Sequence, residues 1–328
     1  MIETLFFDAL RSAVGPTAAT YALLAIGLNI HFGYTGLLNF GQVGFMLVGA
    51  YGLSITVSVF GGSVWLGVLV GILAAVALSL VLGLPTLRLR ADYLAITTIA
   101  AGEILRFLVR NTSSDPLTGS VFGLRQFAGG FYAISPFSGG SDYLGPLRFS
   151  ANRMWVTSVG WGLVLLLSLG VWALMRSPWG RVLRSIREDE DAARSLGKNV
   201  FLYKMQSLVL GGVIGAIGGI VFILALQNVT PDMFLPQVTF FAFAIMILGG
   251  TGTVLGPVLG SILFWFLLTG LQSGVRTLVD SGAIPGVAGG QAVGAVSLIA
   301  VGLMLMLLMI FRPQGILGDR EELRLDVK

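Results

Sequence analysis

The chain has no cysteine, one histidine and few charges: 16 Asp and Glu and 20 Lys and Arg in 328 residues. Without cysteine there is no disulfide, no thiolate nucleophile and no thiolate metal site, and the redox compartment cannot be read. The single His31 has no Asp, Glu or Cys nearby in sequence, so it is a poor metal ligand and is read as structural. No Ser-His, Cys-His or clustered carboxylate arrangement stands in the apolar segments, which argues against an intramembrane enzyme. A phosphate-binding G-x-x-x-x-G-K-[ST] loop is missing too, because the only Gly-Lys pair, Gly197-Lys198, is followed by Asn199. The opening "MIETLFFDAL" lacks the basic region of a cleavable signal, so the first span is expected to be retained.

What is present is apolar. Hydrophobic residues make up 55% of the chain, glycines number 46, and the mean hydropathy is +0.89, values far from those of soluble domains. From Ser12 to Leu87 no charged residue occurs, and further charge-free runs cover 154–175, 205–231, 233–275 and 281–311. Each can supply at least one helix of roughly 20 residues, the length that crosses the hydrocarbon. The runs are continuous rather than alternating, which excludes a barrel and leaves helices. The expected fold is all-α, a polytopic transmembrane helical bundle forming one membrane domain over 1–328. Spans are expected near 14–31, 37–60, 64–84, 92–110, 154–175, 204–226, 237–250, 254–272 and 291–311, eight to ten in all.

The sparse charges give orientation. Seven of the 20 Lys and Arg lie between Arg176 and Lys204, Arg88 and Arg90 form a pair, and four follow Phe311. The excess of positive charge in cytoplasmic loops places Arg88 and Arg90, 176–204 and the tail 312–328 in the cytoplasm. The loop 111–153, rich in Gly, Ser, Pro and aromatics with three arginines, is expected outside. The net charge of +4 follows from the basic loops and does not call for nucleic acid.

Two glycine segments resemble each other: "FGYTGLLNFGQVG" at 32–44 and "LGGTGTVLGPVLG" at 248–260. Paired Gly-interrupted segments in opposite halves point to an internal pseudo-repeat and a transport pathway, with Gly33, Thr35, Gly36, Gly249, Gly250, Thr251 and Gly252 as candidates. Tight helix packing by small residues explains them equally well. Asn29, Asn39 and Gln42 flank the first segment, either lining a path with neutral amides or bonding backbone freed by the break. Glu103 and Arg106 stand at helical spacing within an apolar segment and form a candidate intramembrane ion pair; a proton relay or a solute contact at Glu103 are the alternatives.

The stretch "GRVLRSIREDEDAARSLGKNV" at 180–200 concentrates charge. Val182, Leu183, Ile186, Ala193 and Leu196 fall near one helical face, charges take the rest, and Gly197 sits where a helix C-cap belongs. It reads as one short amphipathic helix that either retains topology or docks its apolar face into a cytoplasmic partner.

This stretch resembles the cytoplasmic coupling segment of bacterial ABC importer permeases of the branched-chain amino-acid type, the LivM-like family. "GLNIHFGYTGLLNFGQVGF", "LRLRADYLAITTIAAGEILRFLVRN" and "FRPQGILG" follow the same family in the same order, over positions 27–318. Gln42, where a histidine is frequent, departs from the pattern and bears on the solute rather than the family. The resemblance implies a permease subunit in a bacterial cell membrane that carries branched-chain or related small amino acids. It implies an extracytoplasmic solute-binding protein, a second similar permease subunit and two ATPase subunits that carry the ATP and Mg. Coupling to the ATPases would fall to Arg181, Leu183, Ile186, Arg187, Glu188, Asp189, Glu190, Ala193, Leu196 and Gly197. A permease for urea or short amides is the alternative, and an ion-coupled secondary carrier is the rival from another class.

Overall fold

The computed structural model describes residues 2–89, 91–137, 141–144, 147–280, 294–296 and 314–318, with scattered residues between 299 and 310. The helices α1 (Ile2–Val14) and α2 (Pro16–Leu28) are separated at Gly15, which is extended and precedes a proline suited to the first helical turn. α2 runs on into a π-helical turn, Asn29–Tyr34. Then come α3 (Gln42–Ser58), α4 (Val64–Thr86), α5 (Ala91–Arg110) and the short α6 (Asp115–Thr118) and α7 (Gly129–Tyr132). The long α8 (Ala151–Arg176) leads to α9 (Pro178–Glu188) and α10 (Glu190–Ser195), followed by α11 (Val200–Leu226), α12 (Gln237–Gly249) and α13 (Gly256–Asp280). Strands are minor: β1 (Leu124–Arg125) pairs antiparallel with β4 (Asn228–Val229), and β2 (Ser141–Leu144) with β3 (Leu147–Ser150).

Eight of the nine expected spans are helical, and the ninth, 291–311, falls largely outside the described residues, as does the tail beyond 318. Among the described residues five helical stretches are long and apolar enough to cross a membrane, or six if α1 and α2, bent by 45°, are one span. α3 is shorter at 17 residues, and α5 carries Glu103, Arg106 and Arg110. The helix α1 was not anticipated, since Glu3, Asp8 and Arg11 interrupt its apolar pattern; it lies against α13, with Phe6 edge-on to Phe266.

The core holds large apolar side chains such as Phe45, Phe234, Phe264, Leu23 and Leu28, but α4 packs with its small residues inward. The inward positions of α4 are Val64, Gly67, Gly71, Ala75, Ser79, Gly83 and Thr86, mostly small and mostly four residues apart. Its large residues Trp65, Leu69, Leu73, Leu80, Val81 and Leu84 point outward. Lipid tails are as apolar as leucine, so burial against another helix gains little, and association rests on close backbone approach. A Cβ added at Gly52 would stand 2.6 Å from the Cα of Gly71, and Gly27, Gly49 and Gly219 press onto the carbonyls of Gly211, Ala216 and Met46. These contacts draw α2, α3, α4 and α11 into the tight centre of the bundle. Gly219→Val should therefore force α11 off α3, at about 3 kcal/mol. Thermal unfolding of the purified chain checks this, and an unchanged midpoint would show that the helices do not pack this closely.

Candidate functional site

Both glycine segments end a helix, and the two ends meet. α2 and its π turn together run for 19 residues, about 28 Å, before the chain leaves helical geometry at Thr35. Gly36 then takes φ +74°, and α12 ends in Gly250 at φ +117° and Gly252 at φ +72°. These left-handed conformations strain any side chain with a Cβ. Asn29 joins the segments: its Nδ2 donates to the Thr253 carbonyl at 2.8 Å, and the Gly252 N–H donates to its Oδ1 at 2.9 Å. A Cβ at Gly33 would lie 2.7 Å from the Gly252 nitrogen. The two breaks thus meet beside α9.

The remaining polar residues of the first segment are committed to hydrogen bonds. Asn39 Nδ2 donates to His31 Nδ1 at 3.1 Å and to Gln42 Oε1 at 3.3 Å, while Asn39 Oδ1 accepts from the Gly41 N–H at 3.0 Å. With Nδ1 accepting, His31 carries its proton on Nε2, which donates to the Leu208 carbonyl at 3.2 Å. Gln42 Nε2 donates to the Gly211 carbonyl at 3.0 Å. Thr35 Oγ1 donates to the Ile30 carbonyl at 2.8 Å and stands 2.8 Å from Ser207 Oγ. Phe40 N–H and Val43 N–H, at the irregular turn, donate to Thr98 Oγ1 and Thr239 Oγ1. Asn39, Gln42 and Thr35 are buried, Gly36 is exposed, and Thr251 and Gly252 are half-buried. Asn29 and Asn39 thus bond backbone at the breaks, while Gln42 bonds a carbonyl inside α11.

The segment 180–199 corrects the expectation of one helix. Asp189 (φ −152°, ψ 106°) splits it: it ends α9 and caps α10, accepting from the Asp191 and Ala192 N–H groups at 2.9 Å each. Ser177 caps α9, accepting from the Trp179 N–H. Gly197, at φ +77°, follows α10 as a C-terminal glycine should. The apolar face is not free for a partner. Leu183 is in the main core, and Ile186 and Ala193 pack with Val200 and Tyr203 of the same chain. Leu196 does not share that face and is 78% exposed. The outward surface is charged: Arg181, Glu188, Asp189, Asp191 and Arg194 are exposed, and Glu190 is ion-paired to Arg194 and Lys204.

Two arginines of α9 reach the first break. Arg187 Nη1 donates to the Gly33 carbonyl, and a Cβ at Gly36 would contact Arg187 Cγ at 3.3 Å. The Arg184 guanidinium lies 5.9 Å from the Tyr34 ring centroid. A helix that continued past Tyr34 would consume the Gly33 carbonyl; the break releases it to Arg187.

Toward the other end of the bundle, where α11 leads into the turn that carries Asp232, Glu103 and Arg106 of α5 form a salt bridge of 2.7 Å. Asp232, which sequence spacing did not bring forward, joins it. Its Oδ1 is 3.4 Å from Arg106 Nη1 and 2.8 Å from Arg110 Nη1. The turn between α11 and α12 delivers it from 126 residues away.

The described residues thus form a multi-pass helical bundle of a membrane protein, with helix breaks joined across its halves. The family described as "branched-chain amino acid transport system / permease component" matches residues 14–311, and the chain belongs to that family. It is 32% identical to the high-affinity branched-chain amino acid transport system permease protein LivM of Escherichia coli (strain K12), over 93% of this chain and 69% of that one. It is 27% identical to the probable branched-chain amino acid transport permease protein LivM of Methanocaldococcus jannaschii, covering 92% and 91% of the two chains. To the nucleoside ABC transporter permease protein NupC of Lactococcus lactis it is 28% identical, over 77% and 76%.

Two outcomes follow from this geometry. Ile186→Asp places an unpaired charge inside the chain itself and should destabilise the isolated protein by about 3 kcal/mol or more, whereas Leu196→Asp should leave its unfolding temperature unchanged. Equal stability of the two variants would contradict the packing of α9. At the other end, Glu103→Gln leaves Arg106 one carboxylate, so the double variant with Asp232→Asn should lose more stability than the sum of the singles, by about 1 kcal/mol in a double-mutant cycle. Additivity would mean that the carboxylates do not share Arg106.

Proposed function

We propose that this chain is a permease subunit of an ATP-driven importer for branched-chain or related small amino acids, and that α9 and α10 receive the motion of the ATPase subunits. The contact that carries this reading is Arg187 with the Gly33 carbonyl: a charged segment outside the apolar spans grips the backbone of a helix break. Asn29 extends that grip to the second break. Displacement of α9 therefore moves the ends of α2 and α12 together, where Gly36, Thr251 and Gly252 line the entrance to a path. Since the apolar face of α9 is spent inside the chain, a partner meets the exposed charges, Leu196 and a cleft of about 710 Å³ lined by Arg88, Glu190, Asp191, Arg194, Lys198 and Lys204 among others. Charged rims of this kind fix orientation and partner choice more than affinity.

The solute class rests on the names of the relatives, two of which refer to branched-chain amino acids and one to nucleosides. The rest of the assembly in this reading is an extracytoplasmic solute-binding protein, a second similar permease and two ATPase subunits holding ATP and Mg, in a bacterial inner membrane. Residues 111–153 face outside, and 176–204 and 312–328 the cytoplasm.

The test is purification from the native membrane followed by reconstitution. The chain should bring ATPase subunits with it, and leucine, isoleucine or valine should compete for uptake where urea and nucleosides do not. Arg187→Ala should keep the ATPase subunits bound and lower uptake at least about tenfold, the loss expected for a hydrogen bond from a charged donor. A chain that purifies alone and takes up solute on an ion gradient would replace this reading with a secondary carrier.

A further inference from the structure

Helix α12 ends at Gly249, and Leu248, Gly249 and Gly250 are buried, so the last carbonyls have no further helical turn to bond and each one left unbonded is costly. The Met246 carbonyl accepts from the Gly250 N–H at 2.9 Å, and the Gly250 carbonyl accepts from Thr253 Oγ1 at 2.8 Å. Of the three between them, two are taken by a segment from the far end of the chain: Ile316 N–H donates to the Leu248 carbonyl at 3.1 Å and Leu317 N–H to the Gly249 carbonyl at 3.0 Å. Gly315, at φ +75°, turns the chain into this position, and a Cβ there would meet the Gly250 nitrogen at 2.7 Å. A Cβ at Gly250 would in turn meet the Gly318 nitrogen at 2.6 Å. The grip is made by backbone, since the side chains of Ile316 and Leu317 are 43% and 40% exposed.

We propose that Gly315–Gly318 is a clip that holds the second glycine break in the position Asn29 requires, and that transport depends on it. The break is held on two sides. Asn29 bonds Gly252 and Thr253 from the first half, and the clip bonds Leu248 and Gly249 from the C-terminal segment. Without the clip, two orphan carbonyls at the end of α12 reach for water, the Gly249–Gly252 turn loosens, and motion passed from Arg187 through Gly33 and Asn29 is absorbed by the turn. This inference rests on the permease reading given above for its link to transport, but the clip itself is a property of the single chain.

Proline at 316 or 317 removes the donating N–H, while alanine keeps it. The chain has no native cysteine, so Thr251→Cys reports on the turn by its rate of reaction with a small water-soluble maleimide. In the purified chain without partners, Ile316→Pro and Leu317→Pro should raise that rate about tenfold, and Ile316→Ala should leave it unchanged. In the reconstituted transporter the proline variants should lose most uptake while ATPase subunits still copurify. Should the proline variants fail to fold, hydrogen exchange in the unmodified chain decides, because the amides of Ile316 and Leu317 should be protected as strongly as the last turn of α12. Unprotected amides, or an unchanged thiol rate in the proline variants, would overturn the clip. A raised thiol rate with normal uptake would overturn its part in transport. Failure of the unmodified chain to copurify with any ATPase would instead strike the permease reading and leave the single-chain measurements standing.

Discussion

A polar backbone inside hydrocarbon must find its own partners, and this bundle is arranged around the places where a helix cannot provide them. Leaving helical geometry at Thr35 and again at Gly250 frees carbonyl and amide groups at the ends of α2 and α12. Each group discussed is met by a particular residue brought from elsewhere: Gly33 by Arg187, Gly252 and Thr253 by Asn29, Leu248 and Gly249 by the clip, Phe40 and Val43 by Thr98 and Thr239. Because the partners come from α2, α5, α9, α12 and the C-terminal segment, satisfying the two breaks also fixes how these elements sit.

Small residues make that arrangement reachable. Gly27, Gly49, Gly52, Gly71, Gly211 and Gly219 let α2, α3, α4 and α11 approach at backbone distance. At that separation Gln42 and His31 on one side reach the carbonyls of Gly211 and Leu208 on the other. Larger side chains would push those acceptors out of range and leave buried amides unpaired, so packing and polar satisfaction stand or fall together. On α4 the large apolar residues are turned outward, where lipid accepts them without loss.

Charge is kept to the two ends. At one, Glu103, Arg106, Arg110 and Asp232 neutralise each other beside β1 and β4; at the other, α9 and α10 carry a dense mixture of signs. The second end is tied to the first break through Arg187, and α5, which carries Glu103 and Arg106, touches the first glycine segment through Thr98. Arg187 bonds α9 to backbone at the first break, and Asn29 bridges segments of the chain that are more than 200 residues apart.

Composition and hydropathy by themselves determined that the chain crosses a membrane as helices, because charge-free runs of this length have one favourable structure in lipid. They also located eight of the helices, the two glycine segments and the Glu103 and Arg106 spacing, since each depends on residues near one another in sequence. The four motifs were enough to suggest the family that the chain proves to belong to. Periodicity failed at α1, where three charges mask an interior face, and at residues 180–199, where it read one apolar stripe without seeing that Asp189 could cap a second helix or that Leu183 and Ile186 would be buried by the chain's own spans. Only the tertiary structure decided that the glycine segments meet at one end beside α9, that Asp232 joins Arg106, and that Ile316 and Leu317 cap α12. Those contacts link residues up to 224 apart, and a hydrogen bond across such a separation leaves no spacing for a sequence to display.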